Sequence, residues 1–246
     1  MGERTLGEVL MEIALIGRGR VATHMGKALL KAGHKVVSVN SRTLAELPQV
    51  ADLYIIAVKD SALQEVISKV TKGREGQLFL HTAGSMPLSV FEGYAERCGV
   101  LYPMQTFSMD REVDFREIPL FIEASDAASL QQIRALADSI SQHVYELSTA
   151  DRKYLHLAAV FACNFANHCY TLAADVLQKK GLPFDVMLPL VDETARKVHE
   201  LHPTEAQTGP AVRGDQNVMQ AQAALLDGKA KEIYELLSQS IQEHKE

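Results

Sequence analysis

Positive charge is in short supply in this chain. Its 246 residues carry 25 Lys and Arg against 31 Asp and Glu, a formal net charge of -6, and no basic run stands out. Electrostatics therefore gives no reason to expect nucleic acid as a partner. Cysteine is scarce as well: Cys98, Cys163 and Cys169 are odd in number and form no Cys-x-x-Cys pair. That speaks against a disulfide framework or a structural zinc, so no metal is expected and a reduced, cytoplasmic setting is. Long apolar runs are missing too. The most apolar long stretch, 155–177, is broken by His156, Asn164, Asn167, His168 and Asp175, which makes it a poor membrane span. Residues 1–8 lack the apolar core of a signal peptide, Leu6 breaks the myristoylation pattern, and the chain shows neither internal repeats nor low-complexity segments.

What is present is a composition of 47% hydrophobic and 23% charged residues, in a chain long enough to bury the core of one large or two moderate domains. The stretch from Glu12 to Arg42 organises the rest. Ile13-Ala14-Leu15-Ile16 has the length and β-branched content of a buried parallel strand, and Gly17-Arg18-Gly19-Arg20-Val21-Ala22 follows it directly. A helical segment then leads to a second strand, Val36 to Asn40. This order makes the first βαβ unit of a dinucleotide-binding fold. Gly17 allows the tight turn, Gly19 lets backbone amides approach a pyrophosphate, and Ala22 in place of a third glycine still permits helix to pack closely on strand. The pyrophosphate belongs at the positive N-terminus of the helix.

The end of the second strand predicts which dinucleotide is preferred. An NAD site usually places Asp or Glu there for the ribose hydroxyls, whereas this chain has Asn40, Ser41 and Arg42. With no carboxylate to repel a 2′-phosphate and a hydroxyl and guanidinium to receive it, NADP is the expected cofactor. Arg18 and Arg20 add positive charge to the glycine loop, although for Arg20 a solvated surface role fits equally well.

Residues 1–10 read as an extension ahead of the first strand, with Met11 as a candidate native start. After Arg42, Thr43 to Pro48 has room for only a turn or two of helix before Pro48 interferes. Asp52 to Val58 is the next strand, and its end at Val58 and Lys59 faces the cofactor, because open α/β sheets bind ligands at strand C-terminal ends. Strands are also expected at 77–80, 100–102, 120–123 and 144–147, with helices at 61–70 and 129–142. The strand at 77–80 terminates in His81-Thr82-Ala83-Gly84-Ser85, which brings Ala83, Gly84 and His81 to the same edge. Ser148-Thr149 is an N-cap signal for a long helix, and everything beyond it reads as helical. The expected domains are therefore 1–148, a Rossmann-like α/β unit with a mostly parallel sheet, and 149–246, an all-α unit.

At about 100° per residue, Lys153, His156, Asn164, Asn167, His168, Thr171 and Asp175 fall within about 60° of one line on that helix. Asn and His are weaker helix formers than the Lys and Glu of a merely solvated stripe, so the stripe faces a ligand or is hydrogen-bonded between helices or subunits. The loop from Gly209 to Asp215 is the other candidate. Asp215 is a good N-cap, and Arg213 either points at an anion or pairs with a carboxylate to hold the turn.

These motifs resemble, over nearly the full length, the NADP oxidoreductases that join a Rossmann-like domain to a C-terminal domain of unknown function. The resemblance is carried by the glycine fingerprint, Ser41-Arg42, His81-Thr82-Ala83-Gly84-Ser85, Tyr154-x-His156-Leu157-Ala158-Ala159 with Asn164-Phe165, and Thr208-Gly209-Pro210-x-x-Arg213-Gly214-Asp215. It implies a C-terminal domain similar to those of 6-phosphogluconate dehydrogenase and pyrroline-5-carboxylate reductase, helical and forming a homodimer. Pro103-Met104 and Ala83-Gly84 are similar to loops of the latter. Two departures stand out: Tyr102 occupies the place of a His before the Pro, and Leu157 falls where Lys-x-x-x-Asn would need Asn.

The function expected is hydride transfer between NADP(H) and a small, carboxylated carbonyl, alcohol or imine. His156 is the general acid or base, since imidazole changes charge near neutral pH, and Lys153 is the competing proton donor. Asn164 holds the reacting oxygen or nitrogen, Arg213 clamps a carboxylate, and His81 lines the nicotinamide side. The alternative is a non-enzymatic NADP-binding sensor acting through its dimer.

Overall fold

The computed structural model describes residues 10–244. The extension expected at residues 1–10 lies, but for Leu10, outside the described residues. The chain forms two compact units that meet between Asn164 and Phe165.

The first unit is built on a seven-stranded sheet. Its strands are β1 (Glu12–Ile16), β2 (Lys35–Val39), β3 (Leu53–Ile56), β4 (Phe79–His81), β5 (Cys98–Pro103), β6 (Leu120–Ala124) and β7 (Val144–Glu146), in the order β2-β1-β3-β4-β5-β6-β7. All neighbours are parallel except β6, which runs antiparallel to β5 with Tyr102 opposite Phe121 and Val100 opposite Glu123. Among the described residues four α-helices accompany it: α1 (Arg20–Lys31), α2 (Asp60–Val70), α3 (Ala127–Ile140) and α4 (Thr149–Ala159).

Strand alternation sends side chains to two separate cores. Ile13 and Leu15 of β1 join Leu53 and Ile55 of β3 against Met25 and Leu29 of α1 and Ile133 and Leu136 of α3. Ala14 and Ile16 join Tyr54, Ile56 and Phe79 against Leu63 and Ile67 of α2. The central strands are buried on both faces, which explains why they read in sequence as continuous apolar runs.

Between β2 and β3 the chain makes no helix. Leu44 (φ 51°) and Glu46 (φ 69°) hold left-handed turns over the segment expected to supply at most a turn or two of helix.

The second unit is helical: α5 (Ala166–Gln178), α6 (Leu188–Glu200), the short α7 (Pro203–Ala206) and α8 (Pro210–Arg213), α9 (Gln216–Ala223) and α10 (Gly228–Glu243). Between α4 and α5, Val160–Phe165 forms a π-helical turn. Such a turn holds one residue more than an α-turn, so the residues after it are set back by about 100°. The single line drawn through Lys153, His156, Asn164 and the residues up to Asp175 assumes a uniform step, and that step fails at Val160. Among the described residues no helix is long and apolar enough to cross a membrane, and no group of three or more His, Cys, Asp or Glu could hold a metal.

Candidate functional site

Gly17 turns the chain at the end of β1 with φ 136°. A Cβ there would lie 2.2 Å from the Ala57 carbonyl oxygen, so only glycine lets the turn press against the end of β3. Its N–H donates to the Val39 carbonyl (3.0 Å), which ties the turn to β2 as well. Gly19 caps α1 without a side-chain hydrogen bond, and a Cβ on it would meet nothing within 4 Å. The first turn of this twelve-residue helix thus has no side-chain cap from Gly19. In sign of charge the uncapped N-terminus of α1 fits a pyrophosphate. Ala22 is buried and Val21 half-buried beneath it, while Arg18 and Arg20 are exposed at its rim.

Past β2, the Asn40 side chain accepts the Arg42 N–H (3.0 Å), a local turn that presents Ser41 and an exposed Arg42. At the end of β3, Val58 is half-buried and Lys59 is the exposed N-cap of α2. The Ser85 hydroxyl donates to the Asp60 carboxylate and so joins the loop after β4 to the start of α2. Ala83 and Gly84 lie in that loop.

His81 does not line this edge. It is fully buried at the end of β4, stacked on Phe91 (5.7 Å between ring centroids), with Nδ1 accepting the Ala83 N–H (3.2 Å). Burial first, and the Arg152 guanidinium second, push its pKa down to about 4, the Pro87 backbone and the Asp60 and Glu123 carboxylates offsetting only part. The ring is neutral at pH 7 and supports the Ala83-Gly84 loop from below. A ring hidden by Phe91 and the loop itself cannot touch a nicotinamide, whatever its place in sequence.

His156 is the predicted residue that the fold brings to this edge. Its Nδ1 lies 3.2 Å from the Tyr102 hydroxyl, and the two rings meet edge to face with centroids 6.0 Å apart. Tyr102 is buried at the end of β5, so its hydroxyl pKa is pushed up, with Arg152 pulling it back in part. Gly84 completes the group: a Cβ there would sit 2.7 Å from both His156 Nδ1 and the Tyr102 ring.

Arg152 sets this geometry from one helical turn upstream. Its side chain is 1% exposed, pairs with Glu123 of β6 and donates to the Met86 carbonyl (2.7 Å). Thr149, in the first turn of α4, binds the same carboxylate through its N–H (2.9 Å) and hydroxyl (2.7 Å). Burial pushes the Glu123 carboxyl up, but the hydrogen bonds from Arg152 and Thr149 outweigh it and hold it below the ordinary range. One helical turn and two strand residues both advance about 6 Å. Arg152 seated on Glu123, opposite Val100, therefore places His156 beside Tyr102.

Lys153 is exposed on α4, and Asn164 is exposed within the π-turn. Arg213, in the second unit, pairs through Nε with Asp215 (2.9 Å), so its carboxylate partner is in its own turn.

Residues 118–241 match the profile of a domain of unknown function, DUF2520, and residues 12–70 match that of the "NADP oxidoreductase coenzyme F420-dependent" family. Among solved structures, a candidate NADP oxidoreductase from Bacteroides fragilis is 49% identical, with a TM-score of 0.88 over 95% of this chain and 98% of that one. The chain belongs to the NADP oxidoreductase family that carries DUF2520. More distant structures share the fold. A Thermotoga maritima protein is 18% identical with a TM-score of 0.72, the alignment covering 95% of this chain and 98% of that one. An imine reductase from Myxococcus stipitatus, in complex with NADP+, is 15% identical with a TM-score of 0.63, over 94% and 92%. Among proteins of curated function none matches.

In this DUF2520 protein, sequence reasoning missed Arg152 and Glu123 and treated Tyr102 only as a departure. One signal was available for Arg152. A cation in the first turn of a helix opposes the helix dipole, and its presence there asks for a carboxylate close by.

Proposed function

We infer that this chain binds NADP(H) at the Gly17 turn and transfers hydride between it and a small carbonyl, alcohol or imine carrying a carboxylate. The observation that carries the reading is the Gly17–Gly19 cradle with Ser41 and Arg42 beside the end of β2. When bound, NADPH supplies the hydride. The chain's own residues handle the rest. Gly17, Gly19 and the first turn of α1 hold the pyrophosphate, with Arg18, Arg20, Val21 and Ala22 around it. Asn40 shapes the turn from which Ser41 and Arg42 receive the 2′-phosphate. Val58, Lys59, Ala83 and Gly84 border the nicotinamide. His156 exchanges a proton with the substrate oxygen or nitrogen, with Lys153 as its competitor and Asn164 as a hydrogen-bonding partner. Arg213 offers a carboxylate the terminal nitrogens that its Asp215 pair leaves over.

Homodimerisation through the helical unit belongs to the same reading. Leu182, Leu190, Leu225 and Leu236 of that unit are each more than half exposed, and a second copy covering them would give the helices the core they lack. A cytoplasmic location accords with the three free cysteines.

Titration with NADPH and NADH, followed by nicotinamide fluorescence, tests the reading. Tight NADPH binding that weakens selectively in Arg42→Ala is expected, and binding of neither nucleotide would sink it. Binding without turnover against a carbonyl and imine panel would favour a sensor instead.

A further inference from the structure

We propose that Tyr102 is a positioning residue for His156, its hydroxyl holding Nδ1 so that Nε2 is the ring atom that exchanges a proton with a ligand. This rests on the proton-handling role of His156 inferred above, and adds to it a specific nitrogen and a residue that selects it.

Three independent features of the first unit converge on the pair. The hydroxyl lies 3.2 Å from Nδ1, which engages one ring nitrogen and leaves the other. Tyr102 itself has little freedom. It is 9% exposed, on a strand buried along its length, with its ring beside Phe121 (6.4 Å between centroids). The loop after β4 gives way to the pair, because Gly84 is the position where any side chain would strike His156 Nδ1 and the Tyr102 ring together. Gly84 is not a positive-φ glycine, so backbone conformation does not require it; the two rings do.

The chemistry rests on what each atom can donate. Burial keeps the phenol protonated. The hydroxyl oxygen has a lone pair to accept from Nδ1–H, and it does so in both the imidazolium and the neutral ring, which sets the neutral ring as the Nδ1–H tautomer with a free lone pair on Nε2. Giving up the Nε2 proton to a substrate oxygen or nitrogen turns imidazolium into imidazole, with Nδ1–H still held by Tyr102. No charge is then left on the tyrosine. Arg152, one turn back on α4, is the charged group that acts on the Tyr102 hydroxyl, and its partner is Glu123 on β6. They pair with each other and leave the proton to His156.

The test is nitrogen-15 spectroscopy of the histidine rings, with the His156 signals assigned by their loss in His156→Gln. In the wild type at a pH where the ring is neutral, Nδ1 is expected at the position of a protonated, pyrrole-type nitrogen. In Tyr102→Phe, which removes one oxygen and keeps the ring, that signal should move to the free pyridine-type position while circular dichroism and NADPH affinity stay as they were. An Nδ1 signal at the same position in both proteins would overturn the proposal. So would a loss of NADPH affinity in Tyr102→Phe, which would put the hydroxyl on the cofactor. Failure of the wild type to bind NADPH is a separate result that sinks the reading above, so the two failures are told apart. With a substrate in hand, kcat should fall at least tenfold in Tyr102→Phe with KM little changed.

Discussion

A Cβ placed on Gly84 would stand 2.7 Å from Nδ1 of His156, two residues 72 positions apart whose approach depends on the absence of a single carbon. The contact joins a loop after the fourth strand to the last turn of a helix that begins after the seventh. It makes the first prediction.

Gly84→Ala should part the Tyr102 and His156 rings. Overpacking of this kind costs about 1–3 kcal/mol, and thermal unfolding should report it. The His156 Nδ1 signal should move as it does in Tyr102→Phe. A protein of unchanged stability and unchanged spectrum would show that the loop yields instead.

Gly19→Ala should separate folding from binding. Nothing stands within 4 Å of the added carbon and the residue has φ -79°, so stability should fall by only about 1 kcal/mol, the difference between Gly and Ala at an N-cap. The same methyl group intrudes on the cradle over α1, and NADPH affinity should drop at least tenfold. Fluorescence titration beside a denaturant melt measures both. Retained affinity would mean that the phosphates do not lie there.

Removing Arg152 should hurt more than its place among surface-like charges suggests. Arg152→Met leaves Glu123 half-enclosed without its cation, which costs about 3–5 kcal/mol for a buried pair. Urea unfolding of Arg152→Met, Glu123→Gln and the double variant gives the coupling between them. Additive effects would rule out the pair as the anchor of α4.

His81 should make the fold acid-sensitive. Its pKa in the folded protein is about 4, below the usual 6.5, so the unfolded chain binds more protons between those values. Stability should therefore be whole above pH 6.5 and decline as pH falls towards 4, by up to about 3 kcal/mol. In His81→Asn, which keeps an acceptor for the Ala83 N–H, the decline over that window should be largely gone. An unaltered pH dependence would mean that the ring is hydrated or protonated where it lies.

The strands were legible because β1 and β3 are buried on both faces and so contain little but aliphatic residues. The glycine turn was legible because each glycine answers a local demand. His156 could be named from its chemistry, but Tyr102 beside it could not, since that contact depends on strand register. Two other features lay beyond a residue-by-residue reading. Helical arithmetic with a constant step cannot anticipate a π-turn, so Asn164 was aligned with His156 on a line that breaks at Val160. His81 was assigned to the ligand edge by its position at a strand end, but what covers it is Phe91 and the returning loop, and neither neighbour is visible from the strand itself. Arg152 was hidden for the opposite reason. Between Asp151 and Lys153 it looks like any solvated charge, and only the arrival of Glu123 from β6 makes it an anchor.

The reversed strand β6 has a consequence for how His156 comes to stand beside Tyr102 at the end of β5. The parallel strands all deliver their loops to one rim of the sheet, and a helix leaving that rim travels away from it. By running backwards, β6 and its parallel neighbour β7 release the chain at the opposite rim. The helix after β7 then climbs towards the glycine turn instead of departing from it. A single change of heading converts an outgoing element into an incoming one, so the rim of the sheet that carries the glycine turn also receives, within the same unit, a side chain from a helix that starts at the other rim.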